Sequence, residues 1–307
     1  MTLSATRKIW ITFVLLSALS CKVFQKTTTT VDLNKTKWIS GSSDCATNTE
    51  PPIQVVQYNY NTWILRENKC VNYEAPFMFL FIGHKKALLM DDGATFSESK
   101  FPIRKTVDNL IAKWNKTNNT QLELIVAHTH SHGDHTAGDG QFRNSPNSNT
   151  TVVGLKVEDV QSFFKIENWP EQSAKFDLGE RVMEIIPIPG HHKTSIAVYD
   201  NETKILLSGD SFYPGRLYVN DWPAFKSSTQ RLLDFTSTHK IAYILGNHIE
   251  MTNIPGKDYP IGTAFQPDEH ILPLTVKDLS LLNTTLINLG DKPVRKTLDD
   301  LIIYPTN

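Results

Sequence analysis

The sequence predicts one α/β domain, and three observations carry that expectation. Short apolar runs of strand length alternate with segments of helical spacing. The alternation continues through two comparable halves. No Pro/Gly-rich stretch divides those halves, so the 307-residue chain reads as one large unit from about residue 53 to residue 307. Apolar residues at 40% and charged residues at 21% exclude both a disordered tail and a membrane bundle. The formal charge of −1 excludes a strong electrostatic grip on nucleic acid. Three cysteines are too few for a disulfide scaffold or a cysteine-built zinc site.

Residues 1–20 read as a secretory signal. Arg7 and Lys8 give a positive start, Ile9 to Leu16 an apolar run, and Ala18 and Ser20 a small-residue close. The run is too short to span a bilayer. Cys21 follows directly, so lipid anchoring at Cys21 and free secretion both stay open. Either way the expected location is outside the cytoplasm. Loss of Arg7 and Lys8 leaves 29 of the 31 basic residues against 32 acidic ones, a charge of −3. In an oxidising compartment Cys45 and Cys70 can pair, and separate thiols are the alternative. Asn-x-Ser/Thr triplets at Asn34, Asn115, Asn118, Asn149, Asn201 and Asn283 carry little weight in a chain rich in Asn and Thr.

Residues 21–52 are polar and read as a linker. Gln54 to Glu67 alternate as strands around a turn at Asn59 and Asn61. Phe77–Ile82 and Ala87–Met90 form a hairpin across Gly83-His84-Lys85. Val107, Leu110, Ile111 and Trp114 give Ile103–Trp114 a helical face, and Leu122–Ala127 is a buried strand. The second series places strands at Thr151–Leu155, Val182–Ile188, Ser195–Tyr199, Lys204–Leu207 and Ile241–Leu245. Its helices fall at Lys156–Ile166 and Ser227–Thr236.

Past the strand ending at Ala127 comes His128-Thr129-His130-Ser131-His132-Gly133-Asp134-His135. A strand end turning into a loop can aim several of these side chains at one point. Imidazole nitrogen and carboxylate oxygen are the donors a borderline cation such as Zn²⁺ prefers. Further landmarks follow strands in order: Leu88-Leu89-Met90-Asp91-Asp92-Gly93, Pro189-Gly190-His191, Ser208-Gly209-Asp210 and Gly246-Asn247-His248.

With these landmarks the chain resembles the metallo-β-lactamase superfamily. The resemblance implies an αββα sandwich and two zinc ions. It assigns His130, His132 and His191 to the first ion and Asp134, His135 and His248 to the second, with Asp210 bridging. His128 falls outside that register. Asp91 matches the family's structural aspartate, with Asp92 where a Thr is usual. An aspartate at 210 resembles the glyoxalase II, lactonase and phosphodiesterase branches.

Such a site activates a bridging water as hydroxide for attack on a carbonyl, and Asp134 can orient it and carry a proton. The expected function is an exported dizinc hydrolase of an ester, thioester, lactone or similar small molecule. An iron persulfide dioxygenase and a non-catalytic metal-binding protein are the alternatives. Tyr213, three residues past Asp210, is either a hydrogen-bond donor to substrate or a packed aromatic. Phe212, Tyr218, Trp222 and Phe225 either wall an apolar pocket or form a satellite core. The turn-rich segment from Asp258 to His270 is expected to wrap the site.

Overall fold

The computed structural model describes residues 1, 30–144 and 149–306. The expected signal and Cys21 therefore lie outside the described residues, Met1 apart. In chain order the elements are β1 (Ile53–Asn59), β2 (Thr62–Glu67), β3 (Phe77–Ile82), β4 (Lys86–Met90), α1 (Ile103–Asn118) and β5 (Glu123–Ala127). Then come α2 (Gly133–Thr136), α3 (Asp139–Arg143), β6 (Thr150–Val152), α4 (Val157–Phe164), β7 (Ala174–Asp177), β8 (Val182–Pro187), β9 (Ile196–Asp200) and β10 (Ile205–Gly209). The chain continues with β11 (Arg216–Val219), α5 (Trp222–Thr238), β12 (Tyr243–Gly246), β13 (Pro273–Leu274), α6 (Val276–Leu289), β14 (Lys296–Thr297) and β15 (Ile302–Pro305).

Two six-stranded sheets run β1-β2-β3-β4-β5-β6 and β13-β12-β10-β9-β8-β7. The strand alternation explains how they stack. In β3, Phe77, Phe79 and Phe81 enter a core shared with Ile185, Val198, Leu207 and Leu245 of the second sheet. Met78, Leu80 and Ile82 point the other way, onto Val107, Ile111 and Trp114 of α1. Ile186, Ala197, Leu206 and Ile244 likewise face Phe225 and Leu232 of α5 and Leu279, Leu282 and Leu286 of α6. Both faces of each central strand are covered, which is why these strands read as unbroken apolar runs. The layers are α, β, β and α, as expected. Each such side chain, fully buried, contributes on the order of 2 kcal/mol.

Several elements differ from the sequence expectation. Helix α5 begins five residues earlier than Ser227. Asp221 caps it by accepting the Ala224 N–H at 3.0 Å, and Pro223 is tolerated in the first turn. Helix α6 was not expected. Its Thr275 and Asp278 form a reciprocal capping box ahead of Leu279, Leu282 and Leu286. Strand β11 pairs in parallel with β15, far along the chain.

The described part of the expected linker, residues 30–52, is packed onto the domain. Leu33 is buried in the inter-sheet core. The Val31 N–H donates to the Tyr58 carbonyl at 2.9 Å. Gly41 bridges to Phe265, and Cys45 forms a disulfide with Cys70. Leu33, with Val31 and Trp38 packed against the same core, and a covalent tie hold this polar segment on the domain. Among the described residues no helix is long and apolar enough to cross a membrane.

Candidate metal centre

The strand order gathers the candidate ligands at one edge of the sandwich. β4 ends before Asp91, β5 before His128, β8 before His191, β10 before Asp210 and β12 before His248. Two glycines let the chain turn sharply into a ligand. Gly190, at φ +143°, lies where a Cβ would come within 2.6 Å of the Phe225 nitrogen, and Gly209 has φ +54°. Neither position accepts a side chain without strain.

His130, His132 and His191 form one group. His130 Nε2 lies 2.9 Å from His132 Nδ1. His191 Nε2 lies 3.1 Å from His130 Nε2 and 3.0 Å from His132 Nδ1. Three ring nitrogens so converged cannot all be satisfied by one another's protons. A tetrahedral zinc with bonds of about 2.0 Å spaces its ligands about 3.3 Å apart, so the donor set fits such an ion.

Asp134, His135, Asp210 and His248 form the second group. Asp210 Oδ2 is 3.3 Å from His135 Nε2 and 3.5 Å from His248 Nε2. Asp134 Oδ2 is 3.3 Å from His135 Nε2 and 3.4 Å from His248 Nε2. The same Asp210 oxygen is 3.8 Å from His130 Nε2 and 3.8 Å from His191 Nε2. It stands between the two groups. Its other oxygen is buried with no hydrogen-bond partner among the described residues.

Electrostatics separate the groups. Burial, joined by the adjacent His135, holds His130 well below the usual imidazole range. Burial also lowers His191. His130 and His191 therefore present neutral nitrogens. In the second, burial opposes charge but is overcome. Asp210 and Asp134 hold His135 and His248 well above the usual range. Against the same burial, His248 and His135 hold Asp210 well below the usual carboxylate range. That group favours positive charge at its centre.

Neighbouring groups fix the rings. His191 Nδ1 lies 2.8 Å from the Tyr218 carbonyl, and His248 Nδ1 lies 2.9 Å from the Glu74 carbonyl. A carbonyl only accepts, so each Nδ1 donates and each Nε2 is left free for the centre. The Ser131 hydroxyl lies 2.8 Å from the Thr194 hydroxyl, tying the His130–His132 loop to the His191 loop. Asp91, at φ +64°, accepts the Thr129 N–H at 2.8 Å, and its Oδ2 accepts from Asn247 Nδ2 at 2.6 Å. The accepting carbonyls at Tyr218 and Glu74 gave no sequence signal, because a backbone acceptor can be any residue. Asn247 sits inside its motif and could have been found.

Tyr213 is buried, and its hydroxyl donates to the Arg216 carbonyl at 2.5 Å and lies 3.1 Å from Glu250 Oε2. Its ring lies 5.7 Å from the His248 ring. Phe212, Trp222 and Phe225 belong to the core under α5 and α6. Tyr218 instead lines a polar cavity of about 160 Å³ with Lys69, Glu74, Arg216, Glu250 and Gln266. His192 lies beside the first group, with its ring 4.8 Å from that of His132. His84 is exposed beside Glu180, His239 stacks on Phe235, and His270 pairs with Asp300.

The four-layer fold and this edge of convergent imidazoles and carboxylates define a class. The chain belongs to the metallo-beta-lactamase superfamily, whose family model matches residues 77–248, from β3 to the last candidate ligand. Over part of its length it is similar to the acyl-coenzyme A thioesterase MBLAC2 of Gallus gallus. Identity there is 34% over 80 residues, 24% of this chain and 28% of that one. The Bos taurus protein of the same name is 31% identical over 116 residues, 36% of this chain and 39% of that one. The matches thus span well under half of those relatives. The fold is similar to that of DIM-1 metallo-beta-lactamase exposed to ceftazidime, with 16% identity and a TM-score of 0.50. That match covers 79% of this chain and 100% of the other.

Proposed function

We propose that the protein is an exported, dinuclear zinc hydrolase acting on a small thioester, ester or lactone. The observation that carries this reading is the place of Asp210 Oδ2, within 3.8 Å of His130 and His191 and within 3.5 Å of His135 and His248. In this reading His130, His132 and His191 hold one ion, Asp134, His135 and His248 the other, and Asp210 spaces the two. The bound ions supply Lewis acidity toward a substrate carbonyl and toward water. Asp134 is the least buried of the four groups in its cluster, which suits it to orient a water and to carry its proton. The carbonyls of Tyr218 and Glu74 hold the His191 and His248 rings still while charge moves. Tyr213, with both hydroxyl contacts taken by Arg216 and Glu250, serves here as a brace for the wall beside His248.

The similarity to thioesterases favours a thioester over the other carbonyl classes. The signal-like pattern of residues 1–20, with its apolar run Ile9 to Leu16, and the Cys45–Cys70 pair support export. The test is metal analysis of protein purified without added metal, followed by a panel of thioester, ester, lactone and β-lactam substrates. Two zinc ions per chain and hydrolysis of at least one carbonyl class are expected. A single iron per chain with oxygen uptake on a persulfide would overturn the reading, and so would two ions with no turnover across the panel.

A further inference from the structure

We propose a third cation site, built from Asp92, His128 and Asp139 and distinct from the seven residues above. One donor atom from each lies within 4.8 Å of the others. They come from three segments: the loop after β4, the end of β5 and the start of α3. His128 Nε2 is 3.1 Å from Asp139 Oδ1.

The contacts leave a gap that a cation fills. Asp92 is fully buried. Its Oδ1 accepts the Gly138 N–H at 2.8 Å, while Oδ2 has no hydrogen-bond partner among the described residues. His128 is buried too, and its Nδ1 is equally unpartnered, with Asp91 Oδ1 at 3.8 Å. Arg143 reaches only the outer oxygen of Asp139, at 3.0 Å, and is itself half exposed. Two inward carboxylates thus face a single imidazole. An unpaired buried carboxylate oxygen is costly, and like charges side by side add to that cost. One imidazole and two carboxylates suit a divalent ion of the zinc or manganese class.

The site's position gives it a role. His128 precedes the ligand segment His130–His135 and Asp139 follows it. An ion joining them to Asp92 staples both ends of that segment and so positions its ligands from behind. A proton shared between Asp92 and Asp139 is the competing occupant.

The full chain is dialysed against zinc sulfate, and in parallel against manganese chloride, and bound metal is counted by mass spectrometry. His128→Gln and Asp139→Asn are treated alike, with folding checked by circular dichroism. Each folded variant should hold one ion fewer than the parent with at least one of the two metals. Equal counts with both metals would overturn the site in favour of the shared proton. A further chain carrying His130→Ala, His132→Ala, His135→Ala and His248→Ala should keep one ion. Zero there overturns the proposal even if the other variants fail to fold. Failure of the dinuclear reading lowers the parent count but leaves the difference of one, so the two outcomes stay separable.

Discussion

The Asp91 carboxylate grips Thr129 twice, taking its N–H on Oδ1 at 2.8 Å and its hydroxyl on Oδ2 at 3.0 Å. Since Asn247 Nδ2 also reaches Oδ2, at 2.6 Å, one buried side chain joins the loop before His130 to the loop before His248. Asp91→Ala would strand three buried donors and place alanine at φ +64°. A loss of roughly 3–5 kcal/mol is expected, from unmade hydrogen bonds and left-handed strain. Asp91→Asn keeps the shape and tolerates that backbone, so it should recover part of the loss. Urea midpoints at constant slope measure both.

Asp210→Ala and Asp134→Ala should fail differently. Asp210 touches both groups, so its loss should weaken binding of the pair. Asp134 touches only the second, so one ion should remain on His130, His132 and His191 while turnover collapses. Metal stoichiometry and turnover on the folded fraction decide the matter. Two ions and near-normal rates in both variants would refute these roles.

Arg66 and Glu269 form a bidentate pair, with 2.6 Å contacts to each carboxylate oxygen, and their side chains are 0% and 8% exposed. Breaking it from either side is expected to be unequal. Glu269→Leu strands a fully buried guanidinium and should cost about 3–5 kcal/mol. Arg66→Met should cost less, because Lys69 Nζ still lies 3.8 Å from Glu269. A double-mutant cycle by denaturant unfolding tests the asymmetry.

Burial pushes the Glu67 carboxyl up from 4.5 to about 7, although the Ala94 N–H it accepts pulls the other way. The folded state then holds a proton that the unfolded chain has released. Stability from this group is complete below pH 4.5 and is lost as pH rises through 7. In chelator-treated protein Glu67→Gln should match the parent at pH 4 and exceed it at pH 8. The gain expected there is roughly 3 kcal/mol, at about 1.4 kcal/mol per unit. Equal stability at both ends would show that Glu67 ionises as readily in the folded protein as in the unfolded chain, and would refute the upward shift.

The parts legible in the sequence share one physical cause. Each candidate ligand follows a strand whose two faces are both buried, so strand and motif reinforce one another, as Leu245 does for His248. Helix α6 was hidden because turn formers around Pro267 drew attention from the Thr275–Asp278 cap and the Leu279, Leu282, Leu286 stripe. The β11–β15 pairing joins residues some 86 positions apart, Arg216 to Ile302, and no local pattern encodes it. The Cys45–Cys70 partnership depends on where residues 42–45 are laid down, which only the fold decides. Tyr213 sat at a suggestive offset, but the reach of its hydroxyl depends on the turn at Arg216.

The acceptors that orient His191 and His248 are main-chain oxygens at positions 218 and 74, and both of those residues also line the polar cavity. Side-chain drift at these two positions can therefore reshape what the cavity admits without releasing either imidazole. The chain separates what must be held constant from what is free to diverge at the level of individual residues.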